Sequence, residues 1–263
     1  MKKLLALLLA LVMVMAFAAC GETAEPTEAP TEAPTEAPTD APKDDEPVAT
    51  VMSYEEFMAA EADTQVTIET YVQAKQGWWN DQLSMYVQSP EGATFIYNAA
   101  VTEEEAAKLV PGTKIRVTGP KAIFNGLHEI NAGATVEILE ADPYIAEAQD
   151  LTAKLGTEEL TAHMGQYASF KGLTIEAVND KGDAFQYNWD GSGTADSDSD
   201  LYFKASVDGK SCTFVVEYYF TGPDTDTFKA VTGLKVGDKV DIDCFMYWYD
   251  GAQPHVTAIT LAA

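Results

Sequence analysis

The sequence predicts an all-β protein in which two similar five-stranded barrels follow an N-terminal segment that does not fold. Alternating apolar and polar residues, the pattern of a half-buried strand, recur from residue 65 onward. Stretches with helical periodicity are few and short. The same order of elements, three strands, a helix and two strands, occurs twice. Beyond residue 47 the chain is long enough for two ordinary domains or one large all-β domain.

The N-terminus has the layout of a signal peptide over residues 1–19. Lys2 and Lys3 give it a basic start, and residues 4–19 form an uncharged apolar run that ends in small residues. A membrane-spanning helix needs about 20 apolar residues, and the run is followed by acidic, proline-rich sequence. We therefore expect a signal that is removed.

Phe17-Ala18-Ala19-Cys20 resembles the bacterial lipobox. The resemblance implies that Cys20 is the first mature residue, carries a lipid and anchors the protein on the extracellular face of the cell membrane. Phe17 stands where the family usually has Leu. An ordinary cleavage site after Ala18 remains the alternative, and it would give a secreted protein.

Residues 20–47 are predicted to form a disordered spacer. Thr27-Glu28-Ala29-Pro30 is followed by three near-copies, so that proline recurs every fourth residue among regularly spaced acids. Proline interrupts helices and favours an extended chain. Such a spacer would reach roughly 80 Å if extended at about 3.1 Å per residue.

The first barrel is assigned to residues 48–145 and the second to residues 146–263. Predicted strands of the first barrel cover residues 65–74, 82–89, 94–98, 114–119 and 127–139. Those of the second barrel cover residues 167–178, 201–207, 211–219, 239–249 and 255–262. Predicted helices cover residues 54–60, 102–109, 143–155, 157–163 and 226–231.

Residues 109–119 and 234–244 match most sharply between the halves. In each, a glycine, Gly112 or Gly237, follows a helix and precedes an alternating strand by two residues. This pattern resembles the start of strand four in an OB-fold. The resemblance implies a five-stranded Greek-key barrel whose ligand face is bordered by the β1–β2 and β4–β5 loops.

Alternate strand positions should face the interior of each barrel. The predicted core residues of the two barrels are Val66, Ile68, Val72, Leu83, Met85 and Val87, and Phe214, Val216, Val240, Ile242 and Met246.

Neither the cysteines nor the histidines suggest catalysis. Cys212 and Cys244 fall on inward positions and are expected to be buried thiols, with a disulfide as the alternative in an exported protein. No zinc-ligand spacing and no known catalytic motif surrounds His128, His163 or His255. The sequence therefore predicts that the protein is not an enzyme and has no cofactor apart from a candidate calcium ion.

The formal net charge of −26 bears on partners, because no segment of the chain is basic. Nucleic-acid affinity depends largely on neutralising phosphates with Lys and Arg. The charge therefore disfavours nucleic acid as a partner.

Aromatic residues at predicted surface positions are the candidate ligand contacts. Two lie in the predicted loop after the first strand, three share the outward parity of the fourth strand of the second barrel, and one lies in a long loop. Exposed aromatic side chains stack on sugars, bases or partner side chains. The alternative is that the linker or the other domain covers them. These residues are Trp78, Trp79, Phe245, Tyr247, Tyr249 and Trp189.

Asp196, Asp198 and Asp200 form a candidate calcium site after the glycine-containing loop at residues 188–193. Calcium prefers six to eight oxygen ligands. The run lacks EF-hand order, so a solvated acidic loop is the alternative.

These features predict a membrane-anchored, non-catalytic binding or adaptor lipoprotein that displays two barrels to an extracellular glycan, small molecule or protein. One alternative is a single-stranded nucleic-acid-binding OB protein, and another is an accessory domain of a secreted hydrolase.

Overall fold

A computed structural model describes residues 50–262, which form two closed β-barrels in tandem. The predicted all-β class and the OB-like repeat are confirmed. The predicted signal peptide, Cys20 and the spacer lie outside the described residues. No helix among residues 50–262 has the length and apolar character that crossing a membrane requires.

The first barrel closes because β1 pairs on both sides, with β2 and with β4, while β3 runs parallel to β5. β5 and β6 both pair with β4 and together take the place of a fifth strand. The elements are α1 (Tyr54–Ala59), β1 (Gln65–Lys75), β2 (Gln82–Gln88), β3 (Ala93–Ala100), α2 (Glu103–Lys108), β4 (Lys114–Phe124), β5 (Leu127–Ile130) and β6 (Thr135–Ile138).

The second barrel repeats this order and adds two short strands. β8 pairs with β12 and β10, and β11 runs parallel to β13. The added strands are β7, which lies parallel to β8, and β9, at the edge of β10. The strands are β7 (Gln149–Asp150), β8 (Tyr167–Glu176), β9 (Phe185–Tyr187), β10 (Leu201–Val207), β11 (Lys210–Val216), β12 (Lys239–Phe245) and β13 (His255–Leu261). The helices are two 3₁₀ turns, Thr152–Lys154 and Glu158–His163, and α3 (Asp226–Thr232).

All of the predicted core residues are buried. They belong to two separate apolar clusters, one inside each barrel. Cys212 and Cys244 are free, buried thiols in the second cluster. Burial raises the pKa of the Cys212 thiol to about 12.

The predicted helix over residues 143–155 is wrong. This segment is extended up to β7 and contains only the 3₁₀ turn at Thr152–Lys154. The buried Gln73 side chain explains the difference, since its amide donates to the Tyr144 carbonyl at 3.1 Å and accepts from the Ala146 amide at 2.9 Å. These bonds hold the segment between the two barrels along the surface of the first barrel.

Three predicted strands are interrupted or end at least three residues early, and the strand over 211–219 ends at Val216. The strand over 127–139 is interrupted at residues 131–134, where the Ala134 carbonyl accepts a bond from the Ala100 amide at 2.8 Å. The strand over 239–249 ends at Phe245, and the chain turns back through an isolated bridge between Trp248 and Ala252.

Helix α1 is fastened to the first barrel by a buried lysine. Lys121 is fully buried, and its ammonium donates to the carbonyls of Phe57, Met58 and Ala60 at 2.6, 2.8 and 2.7 Å. These carbonyls lie at the C-terminal end of α1, where the last turn of a helix leaves carbonyls without i+4 amide partners. Burial lowers the pKa of Lys121.

Candidate ligand groove between the barrels

The β1–β2 hairpin presents one tryptophan to solvent. Asn80 and Asp81 have φ angles of 50° and 57°, and Trp79 and Gln82 exchange backbone hydrogen bonds at 3.1 and 3.0 Å. Two successive residues with positive φ are typical of a tight type I′ hairpin turn, for which Asn and Asp are suited. The Trp79 side chain beside this turn is 74% exposed.

Trp78 lies on the opposite side of the hairpin and is half-buried against the first core. Its indole N–H donates to the Val101 carbonyl at 2.9 Å. Of the two predicted loop-tip tryptophans, only Trp79 is therefore placed to contact a ligand.

A groove of about 600 Å³ lies beside Trp79, between the two barrels. We call it the inter-barrel groove. Tyr219, which is 62% exposed, provides a second aromatic face. Among the described residues, none of those lining the groove is Lys or Arg. The lining residues are Gln76, Gly77, Trp79, Gln82, Ser84 and Asn98 from the first barrel, and Asp198 and Tyr219 from the second.

Glu217 joins the two walls of the groove. Its carboxylate accepts a bond from the Gln76 side-chain amide at 2.8 Å and another from the Tyr219 backbone amide at 3.1 Å. The Gly77 amide also donates to the Tyr219 carbonyl at 3.2 Å. These bonds fix Tyr219 relative to the hairpin that carries Trp79.

The groove has an acidic electrostatic environment. Burial, with a smaller contribution from the Asp200 carboxylate, raises the pKa of Glu217 from 4.5 to about 7. Burial also raises the pKa of Asp200, whose carboxylate accepts the Tyr218 amide at 2.8 Å. Asp198 lines the groove, and its Oδ2 accepts the Tyr219 hydroxyl at 3.3 Å.

Phe245 and Tyr247 do not lie on an exposed ligand face, and the structure shows instead the alternative that the other domain covers them. Phe245 is 3% exposed and stacks on Tyr86 of the first barrel, with ring centroids 4.6 Å apart. Tyr247 stacks on His255 at 4.1 Å and meets Phe95 at 5.6 Å. The end of β12 at Phe245 is covered because Tyr86 of the first barrel packs against it.

A buried hydrogen bond fixes this contact between the barrels. The hydroxyl of Tyr86 lies 2.5 Å from Nδ1 of His255. Burial lowers the pKa of His255 to about 3 and raises that of Tyr86. The imidazole is therefore neutral at pH 7, and its tautomer decides whether Tyr86 or His255 donates in this bond.

The other predicted aromatic contacts lie away from the groove. Tyr249 is 49% exposed and packs edge-on against Phe124, at 5.7 Å between centroids. Trp189 is 76% exposed, but it is not among the groove residues.

Tyr219 was not among the residues predicted from the sequence. It directly follows Tyr218 in the turn after β11. The pair of adjacent tyrosines in that turn was the available signal.

The three aspartates of the candidate calcium site do not converge in the structure. Asp200 turns toward the Tyr218 amide, Asp198 contacts the Tyr219 hydroxyl, and Asp196 is exposed. Within residues 50–262, no group of three or more His, Cys, Asp or Glu side chains is arranged to hold a metal ion.

No protein-family model and no curated protein matches the chain. Many solved structures are similar to it, and three of them illustrate the range. A murine DNA-binding protein bound to double-stranded DNA is 10% identical, with a TM-score of 0.35, over 75% of this chain and 96% of that chain. The Ifi202 HINa domain in complex with 20-base-pair double-stranded DNA is 13% identical, with a TM-score of 0.33, over 76% and 96%. A replication protein A heterotrimer bound to single-stranded DNA is 10% identical, with a TM-score of 0.30, over 76% and 51%.

At this level of identity the similarities concern the fold alone. The prediction that nucleic acid is an unlikely partner is contradicted, because the similar structures include complexes with double-stranded and single-stranded DNA. Net charge alone does not remove nucleic acid from the candidate partners.

Proposed function

We propose that the protein is a non-catalytic binding protein that holds a carbohydrate in the inter-barrel groove. The observation that carries this proposal is the presence of two exposed aromatic rings, Trp79 and Tyr219, in one groove with polar side chains. Ligand sites typically combine apolar or aromatic walls with a few polar groups that set orientation. A sugar presents both apolar C–H faces, which can stack on the rings, and hydroxyls, which can bond to amides and carboxylates.

The hydrogen-bonding groups needed for a sugar are present in the groove. Ser84 and Asn98 line it and are bonded to each other, with the Ser84 hydroxyl donating to Asn98 Oδ1 at 3.0 Å. Gln76 is held by Glu217, and Gln82 lies next to the hairpin turn. Because these groups are positioned by protein contacts, a ligand would meet a largely formed site.

A titration with a panel of neutral oligosaccharides tests this proposal. We expect Trp79→Ala to weaken binding of the best oligosaccharide at least tenfold, which corresponds to about 1.4 kcal/mol. Trp189→Ala is the matched control, since Trp189 has nearly the same exposure but lies outside the groove. Equal affinities of the two variants, or no binding of any oligosaccharide, would contradict the proposal.

We further propose that the barrels are displayed from a membrane through a lipid on Cys20 and the spacer over residues 20–47. Support comes from the lipobox-like sequence and the repeated Thr-Glu-Ala-Pro units. Expressed in a bacterium, the Cys20→Ser variant should move from the membrane fraction to the soluble fraction. Retention of that variant in the membrane fraction would count against the anchor.

Single-stranded nucleic acid is the second candidate ligand, and the same two aromatic rings favour it. A base stacked on an aromatic side chain contributes roughly 1–3 kcal/mol. Because no lysine or arginine of the described chain lines the groove, affinity would depend on bases more than on phosphates and would change little with salt. Fluorescence anisotropy with labelled oligonucleotides at two salt concentrations tests this candidate, and no binding at low salt would exclude it.

A further inference from the structure

The charges around the inter-barrel groove distinguish among carbohydrate ligands. Asp198 contributes a carboxylate to the lining, and Glu217 and Asp200 lie behind Tyr219. Lys75, which precedes the lining residue Gln76, donates instead to the Ala106 carbonyl at the end of α2. The described groove therefore offers negative charge without a lysine or arginine to offset it.

The Asp198 carboxylate is also next to an aromatic ring. The Tyr219 hydroxyl donates to Asp198 Oδ2 at 3.3 Å, so the carboxylate lies at the edge of a ring that is itself exposed to the groove. Trp79 provides another exposed ring in the same cavity. Aromatic faces attract cations through the ring quadrupole, and tryptophan does so most strongly. A carboxylate beside such rings adds a direct charge interaction.

We infer that the groove selects a sugar that bears a free ammonium group, with Asp198 as the residue that determines this preference. The inference rests on the proposed carbohydrate function and specifies its ligand class. The ring of the amino sugar stacks on Trp79 or Tyr219, while its ammonium lies near the Asp198 carboxylate. A sugar of the same size without the charge would keep the stacking and lose the charge interaction. A uronic-acid sugar would place like charges together.

The test compares three oligosaccharides of equal length on the full chain, by calorimetry at a pH where amines are protonated. The probes are a glucosamine oligomer, its N-acetylated neutral counterpart and a glucuronic-acid-containing oligomer. We expect the glucosamine oligomer to bind about tenfold more tightly than the neutral one, and the acidic one to bind most weakly. Because the groove is open to solvent, raising the salt concentration should reduce the preference.

Asp198→Asn is the decisive variant. It removes the charge while keeping the shape of an exposed side chain, so the fold should not change. We expect it to abolish the tenfold preference, so that the cationic and neutral oligomers bind the variant with equal affinity. Asp196→Asn is the matched control, because it removes the same charge from an exposed residue that does not line the groove.

The possible outcomes distinguish the ammonium preference from the carbohydrate-binding function. Equal binding of the cationic and neutral oligomers, with both weakened by Trp79→Ala, would overturn the ammonium preference and leave the carbohydrate function intact. Persistence of the preference in Asp198→Asn would overturn the role of that residue. Binding of no oligosaccharide would overturn both proposals. Binding of a single-stranded oligonucleotide in the groove, with no binding of any oligosaccharide, would favour the second candidate.

Discussion

Trp78 and Trp79 are adjacent in the sequence but lie in different environments. Their position between Gly77 and Asn80-Asp81 was sufficient to predict a turn with exposed aromatic residues. It could not predict which indole would face solvent, because that depends on the Val101 carbonyl, which accepts the Trp78 N–H from another part of the chain. Tyr219 was missed for a related reason, since its position beside the hairpin depends on bonds between the barrels.

Glu217 predicts a pH-dependent stability at the residue scale. Its pKa is about 7 in the folded protein against 4.5 ordinarily, so folding favours the protonated form. The wild-type protein should therefore lose stability as the pH rises from 4.5 through 7. Glu217→Gln removes this loss, and we expect it to be about 1–3 kcal/mol more stable than wild type at pH 8 and equal to it near pH 4.5.

Urea denaturation of both proteins at the two pH values measures the effect. Glu176→Gln is a suitable control, because Glu176 is a carboxylate near the surface whose pKa is lowered, chiefly by hydrogen bonds from Ser206 and Lys204. That control should show no gain at pH 8. A stability difference between Glu217→Gln and wild type that does not vary with pH would contradict the account of Glu217.

At the scale of elements, patterns that depend on local sequence were predictable. The alternating strands and the short capped helices α1, α2 and α3 lie close to where the sequence indicates them. Thr102 shows why, since its hydroxyl and the Glu105 carboxylate form a reciprocal capping box at the start of α2.

Elements that depend on distant contacts were not predictable. The segment over 143–155 has helical composition, but the Gln73 side chain binds its backbone in an extended form. Lys121 belongs to a strand pattern and would ordinarily be expected at the surface. It is buried because three carbonyls of the α1 end surround its ammonium.

At the scale of the whole molecule, the contact between the barrels decides which aromatic residues are available. The sequence predicted two barrels and left open that one barrel covers exposed aromatic residues of the other. It did not indicate which aromatic residues are covered. Phe245 and Tyr247 pack in this contact and are therefore not available to a ligand. The inter-barrel groove lies beside the contact. The arrangement of the barrels is therefore part of the binding site.

Because the packing of the barrels positions the groove, a substitution in the inter-barrel contact should change the affinity for ligand even though the residue does not line the groove. Tyr86→Ala removes a fully buried ring from the inter-barrel cluster and leaves His255 without its hydroxyl partner. We expect a loss of about 3–5 kcal/mol in stability and a severalfold loss of ligand affinity, because Trp79 and Tyr219 are no longer held in register. Denaturation and calorimetry measure the two effects.

Tyr97→Ala provides the control for that variant. Tyr97 is a partly exposed tyrosine on β3 of the same barrel, so its removal should cost little stability and no affinity. Unchanged ligand affinity in a folded Tyr86→Ala protein would show that the groove does not depend on how the barrels pack.

The central claim is that both barrels contribute to one ligand site. A double-mutant cycle of Trp79→Ala and Tyr219→Ala, with affinity for the best oligosaccharide as the readout, tests it most directly. We predict that each single change weakens binding about tenfold and that the two are coupled by at least about 0.5 kcal/mol. Full affinity in Tyr219→Ala would contradict the claim, because the second barrel would then take no part in binding.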